Sequence, residues 1–101
     1  MKNSTCYQKA EKIFATDLTS PVFTILASKY YAQRHYKKAE KVCRIGLEND
    51  PSNNIAKYIL AKIYLINNHL LKAEKLLKSI IKMDMNNINA ILVLIDLEKM
   101  L

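Results

Sequence analysis

The chain repeats itself at a fixed interval, and that interval limits its fold more than any other property. The tripeptide Ala39-Glu40-Lys41 returns as Ala73-Glu74-Lys75, an offset of 34. The same offset carries Leu26-Ala27 to Leu60-Ala61, Lys38 to Lys72, Tyr30 to Tyr64, His35 to His69 and Asp50 to Asp84. A fixed period of this length means that each unit is one supersecondary element, burying its apolar face only against its neighbours. One Gly and two Pro in 101 residues leave too few breakers for a sandwich or barrel, which needs turns about every 8–12 residues. The units are therefore helices joined by short corners.

The spacing within each unit is helical. Phe23, Leu26, Ala27 and Tyr30 fall three, four and seven apart, on one face of a helix that starts near Ser20-Pro21, where Ser caps and Pro suits the first turn. A second helix is predicted over 36–47, with Ala39, Val42, Cys43 and Gly46 facing inward. Asn49-Asp50-Pro51-Ser52-Asn53 then breaks the chain, since Asn, Asp and Ser favour turns and the residue before Pro avoids the helical region. The second unit repeats the plan with helices over 54–66 and 70–83 and a corner at Asn67-Asn68-His69. A last helix is predicted over 88–100.

Helix, corner and helix at this period resembles the tetratricopeptide repeat (TPR). The pattern reads Phe23-x2-Leu26-Ala27-x2-Tyr30, Ala39-x3-Cys43 and Pro51 in the first unit, and Lys57-x2-Leu60-Ala61-x2-Tyr64 with Ala73-x3-Leu77 in the second. Lys57 departs from the large apolar residue of the pattern, and Met85 stands where Pro would be expected. A third unit is half present as Ile91-x2-Leu94-Ile95-x2-Glu98. The segment Tyr7-Gln8-Lys9-Ala10-Glu11-Lys12-Ile13-Phe14 matches Tyr36–Cys43, but at an offset of 29 rather than 34. It is read as the second helix of a degenerate preceding repeat, or as a separate cap. The resemblance implies an all-α fold, antiparallel helix-turn-helix repeats stacked as a short right-handed α-solenoid. It divides one domain, 1–101, into an N-terminal helix (3–18), repeat 1 (20–53), repeat 2 (54–87) and the first helix of a partial repeat (88–101). The final helix is apolar and has no solvating cap, which points to a longer array or to an end that pairs with another molecule.

Chemistry-bearing constellations do not emerge. No Ser, His and acid lie in a nucleophile turn, and a single Gly cannot build a phosphate-cradling loop. His35 and His69 occupy equivalent corners and read as solvent-facing. Two Cys and two His at these spacings make no metal site. The carboxylates lie beside lysines, as in Glu40-Lys41 and Glu74 with Lys78, so they read as surface pairs rather than acid–base dyads. No enzyme, cofactor or metal is therefore expected. Cys43, among Ala39, Val42 and Leu47, reads as a small hydrophobe, and Cys6 with it makes no disulfide framework.

The formal net charge is +7, and Lys, Asn and Ile together fill 35 of 101 positions, as an AT-rich coding sequence would also produce. Nucleic-acid readers favour Arg and aromatic platforms. With only Arg34 and Arg44, the composition argues against nucleic acid, although Lys29, Arg34, Lys37, Lys38 and Lys41 form a basic set that an RNA or an acidic partner could use. The longest apolar run, 90–95, is far below the roughly 20 residues of a membrane span. The N-terminus has no apolar stretch of a secretory signal, so a cytoplasmic protein is expected.

What remains is the concave surface, which in the resembled family is lined by the first helix of each repeat. The face opposite the packing positions carries Thr24, Ile25, Ser28, Tyr31 and Ala32 in the first unit. In the second it carries Ile55, Tyr58, Ile59, Lys62, Leu65 and Ile66; in the third Asn89, Leu92, Val93 and Asp96. Family members that grip a C-terminal carboxylate use Lys, Asn and Arg there, whereas this chain has Thr24, Ser28, Ile59 and Val93. The expectation is a protein-interaction module whose groove takes an apolar or amphipathic peptide on Tyr58 and Leu65, with Lys62 engaging an acidic group. The alternatives are that the chain's own flanking helices cover this surface, or that it self-associates as a homo-oligomer.

Overall fold

A computed structural model describes residues 22–101. The expected N-terminal helix (3–18), the Ser20-Pro21 start and Cys6 lie outside the described residues. Five helices follow in order: α1 (Phe23–Ala32), α2 (Tyr36–Asn49), α3 (Asn54–Ile66), α4 (Leu70–Met83) and α5 (Ile88–Met100). The spans of α3, α4 and α5 are those given by the apolar periodicity. α2 runs two residues further than its pattern indicates, and the Asn49 amide in its last turn donates to the Ile45 carbonyl.

The corners inside each helix pair are the same device twice. Gln33, Arg34 and His35 N–H groups donate to the carbonyls of Lys29, Tyr31 and Tyr30; Asn67, Asn68 and His69 donate to Ile63, Leu65 and Tyr64. Six-to-one and five-to-two bonds around one left-handed residue make a Schellman cap, which satisfies carbonyls that the helix end would otherwise leave open. The left-handed residues are Arg34 at φ 63 and Asn68 at φ 62. Asn visits this region readily, while Arg carries the full Cβ penalty of about 1–2 kcal/mol. Arg34→Gly is therefore expected to raise the melting temperature by several degrees, a gain of about 0.5–1 kcal/mol after the added unfolded-state entropy of Gly. Asn68→Gly should change it by less, and differential scanning calorimetry of the two variants reads the contrast. The cap also explains the corner histidines: His35 meets the Tyr30 ring edge-on at 6.5 Å and His69 lies 6.1 Å from Tyr64, closing each cap with a ring contact.

The corners between pairs are likewise equivalent. Asn53 accepts from the Ala56 N–H at 3.0 Å and Asn87 from the Ala90 N–H at 3.1 Å, each capping the next helix. The Asn53 and Asn87 N–H groups in turn donate to the Asp50 and Asp84 carbonyls. Met85 keeps this geometry in the place of Pro51.

Each helix packs on the next, and α1 also touches α3. One core cluster joins Phe23, Leu26, Ala27 and Tyr30 of α1 to Ala39, Val42 and Cys43 of α2 and to Ala56, Ile59, Leu60 and Ile63 of α3. A second gathers Ala61, Ala73, Leu77, Ile80, Ala90 and Leu97 from α3, α4 and α5. The small residues Ala27 and Ala39 in the first pair and Ala61 and Ala73 in the second are fully buried in the core clusters.

The two units fill one corresponding gap differently. In the first, Phe23 lies flat against Gly46, and a Cβ on Gly46 would overlap the Phe23 ring. In the second, the equivalent pair is Lys57 and Ile80. Lys57 departs from the family pattern, yet its stem is buried and its Nζ donates to Ser79 Oγ at 2.8 Å. A slender stem thus stands where the first unit has a ring and a branched Ile where it has a glycine, and the ammonium reaches a half-buried hydroxyl on α4.

Candidate concave binding groove

Helices α1 and α3, the first helix of each pair, lie side by side and leave one face of each partly open, with Tyr31 half-buried against the first core cluster and Tyr58 and Leu65 against the second. On α1 the i, i+4, i+7 positions Thr24, Ser28 and Tyr31 line that face; on α3 the matching positions are Tyr58, Lys62 and Leu65. Lys62 sits at the centre. Its Nζ lies 4.5 Å from the Tyr31 ring centroid and 5.0 Å from that of Tyr58, so two aromatic faces hold one ammonium. Among the described residues no carboxylate pairs with it. Tyr36, from the start of α2, meets Tyr31 at 5.4 Å with the rings inclined at 61°. Burial, with the Tyr36 and Tyr58 phenols next to it, raises the Tyr31 pKa above its ordinary value. The phenol thus stays neutral throughout the physiological range.

Beside this cluster runs a shallow open groove of about 470 Å³, lined by Thr24, Ile25, Ser28, Lys29, Ala32 and Ile55. Ile55 is 60% exposed and Ile66 48%, so α3 presents apolar side chain that no described residue covers. Asn89 is exposed at the start of α5, and Val93 is half-buried against the second core cluster.

Ile59 does not line the groove. It is only 7% exposed and belongs to the first core cluster. The reason is the contact between α1 and α3: each first helix turns one flank toward the unit before it, and Ile59 and Val93 occupy that flank in successive units. Ile25 holds the same position in α1 and is exposed, because among the described residues no earlier unit lies against it. Tyr36 is missing from the candidates that helical spacing supplies; its place five positions beyond Tyr31, across a short corner, is the available signal.

On the outer helices two acids are held in intrahelical ion pairs. Glu40 joins Arg44 at 2.6 Å rather than its neighbour Lys41, because adjacent helical residues diverge while i and i+4 converge. Glu74 and Lys78 form the equivalent pair at 3.4 Å. Arg44 also donates to the Tyr64 hydroxyl at 3.4 Å. Lys38 and Lys72 lie over Tyr30 and Tyr64 at 5.7 and 5.6 Å, another match between the two units. Among the described residues, no group of three His, Cys, Asp or Glu side chains could hold a metal ion, and no helix is long and apolar enough to cross a membrane.

Antiparallel helix pairs with equivalent caps, small residues buried in each core cluster and a shared period define a helical-repeat domain of the TPR fold. No protein-family model matches the sequence, and no curated protein matches it. Among solved structures the chain is similar to the first TPR of Spaghetti (RPAP3) bound to the HSP90 peptide SRMEEVD. The TM-score is 0.88 at 20% identity, over 97% of this chain and 79% of that one.

Proposed function

We propose that this chain is a non-enzymatic protein-interaction module that holds an apolar or amphipathic peptide along α1 and α3. The observation that carries the reading is the Tyr31–Lys62–Tyr58 cluster with exposed Ile55 and Ile66 beside it: a fixed cation set in a surface of rings and aliphatic side chains. Such a surface favours a segment that offers apolar side chains to Tyr58, Leu65 and Ile66 and an acidic group to Lys62. The similar RPAP3 domain is bound to a peptide, and that peptide carries acidic residues. Here Thr24 and Ser28 supply hydroxyls on α1, so recognition rests on apolar contact with Lys62 at its centre and Lys29 at the groove's edge, rather than on a set of cations around a terminal carboxylate. A reducing, cytoplasmic compartment accords with Cys43 as a free buried thiol.

The test is selection from a random displayed-peptide library on the immobilised chain, beside a Tyr58→Glu/Leu65→Glu variant of unchanged circular dichroism. Peptides with adjacent acidic and apolar residues should enrich on the parent and lose at least tenfold in affinity on the variant. Equal retention by both proteins, or no enrichment, would overturn the reading.

A further inference from the structure

The outer helices carry a second feature that the groove does not use. On α2 the exposed residues Lys37, Lys41 and Arg44 follow one another at i, i+4 and i+7 and end on Glu48; on α4 the equivalent line is Leu71, Lys75 and Lys78 and ends on Lys82, so the α4 strip carries no acid. At the α-helical turn per residue these positions fall within one narrow strip along each helix, facing away from the core positions Ala39, Cys43, Ala73 and Leu77. Repeat equivalence gives the two strips matching positions on the second helix of each pair. Glu40 and Glu74, the acids beside the strips, pair with Arg44 and Lys78, and Glu48 is the one acid within them, at the end of α2; Lys37 and Lys41 on α2 and Lys75 and Lys82 on α4 are exposed lysines with no carboxylate partner among the described residues. Leu71 stands within this strip and is 71% exposed, with Met83 exposed at the end of the same helix.

We infer that this face is a peripheral binding site for an anionic lipid surface. Lysines without aromatic platforms suit phosphate and carboxylate head groups, which need charge and no base recognition. An exposed Leu among lysines gains from entering the interfacial layer, while a nucleic-acid backbone has no apolar phase to receive it. Lys stems snorkel around such an insertion and keep their ammonium groups at the head-group level.

The full chain would be sedimented with two kinds of vesicle, phosphatidylcholine alone and phosphatidylcholine with phosphatidylserine in a two-to-one ratio. Each would be run at low and high salt, next to Lys75→Glu/Lys82→Glu and Leu71→Ser variants whose melting is unchanged. Binding is expected only to the phosphatidylserine vesicles, falling at least tenfold on charge reversal or at high salt and severalfold with Leu71→Ser. Absence of phosphatidylserine-dependent binding, or insensitivity to the double reversal, would overturn the inference. So would an unaltered Leu71→Ser variant, and so would retention of single-stranded RNA by a chain that ignores vesicles. The groove peptides serve as a separate readout on the same variants, since Leu71, Lys75 and Lys82 all lie on α4 and none lines the groove along α1 and α3.

Discussion

Gly46→Val is expected to destabilise the protein by about 3 kcal/mol or more, lowering its melting temperature by over ten degrees. The sign is not what helix propensity alone suggests, because replacing a mid-helix glycine usually returns up to about 1 kcal/mol. Here any Cβ would lie 2.5 Å from Phe23 Cγ and closer still to two further carbons of that ring. Because Cγ is among the overlapped atoms, the ring cannot swing its tip aside, and it is only 2% exposed with the first core cluster behind it. Interiors packed to crystal density have no space to receive a ring displaced by more than an ångström. The cost should therefore depend on Phe23. Phe23→Ala alone loses about 3–5 kcal/mol through its cavity, but in that background Gly46→Val should be nearly neutral or favourable. Urea unfolding of the four proteins in a double-mutant cycle reads the coupling. Equal cost of Gly46→Val in both backgrounds would show that the contact between α1 and α2 is not what holds this position to glycine.

Cys43 offers the second large effect, a labelling rate about a thousandfold below that of a free cysteine. Burial foremost, with Glu40 one turn away, pushes its thiol up to about 12 from the ordinary 9.0. At pH 8 about one free thiol in ten is ionised, against about one in ten thousand for Cys43. Only the thiolate attacks, so alkylation must wait for opening of α2 from its neighbours. In a Cys6→Ser chain, the iodoacetamide rate should be negligible in native buffer and climb steeply with urea as unfolding exposes the thiol. The linked stability has a definite sign. The protonated thiol is native-compatible, so this contribution is intact below pH 9.0 and is lost as pH rises toward 12, where the unfolded chain ionises first. A native rate within tenfold of free cysteine, flat in urea, would contradict the packing of α2.

Much of this architecture is readable without coordinates. The fixed repeat offset, the three-four-seven spacing of Phe23, Leu26, Ala27 and Tyr30, and the Asn- and Asp-rich breaks place the helices and their order, because periodicity and caps are local properties of the chain. Thr24, Ser28, Tyr31, Tyr58, Lys62 and Leu65 share a helical face for the same reason. Ile59 reads as part of that face and is not. Position 59 is apolar whether it lines a groove or fills a seam, and only the neighbouring α1 distinguishes the two. Lys57 likewise reads as a fault in the repeat until Ser79 is seen beside its ammonium.

By itself, then, the sequence determined the helical units, their corners and the outward or inward sense of most side chains, since these follow from repeat distances of a few positions. Tertiary structure alone decided which apolar flank is buried, that Gly46 must make way for Phe23, and that Lys62 rests between the rings of Tyr31 and Tyr58. Those outcomes depend on atoms brought within ångströms of one another from different helices, and no spacing along a single helix encodes them.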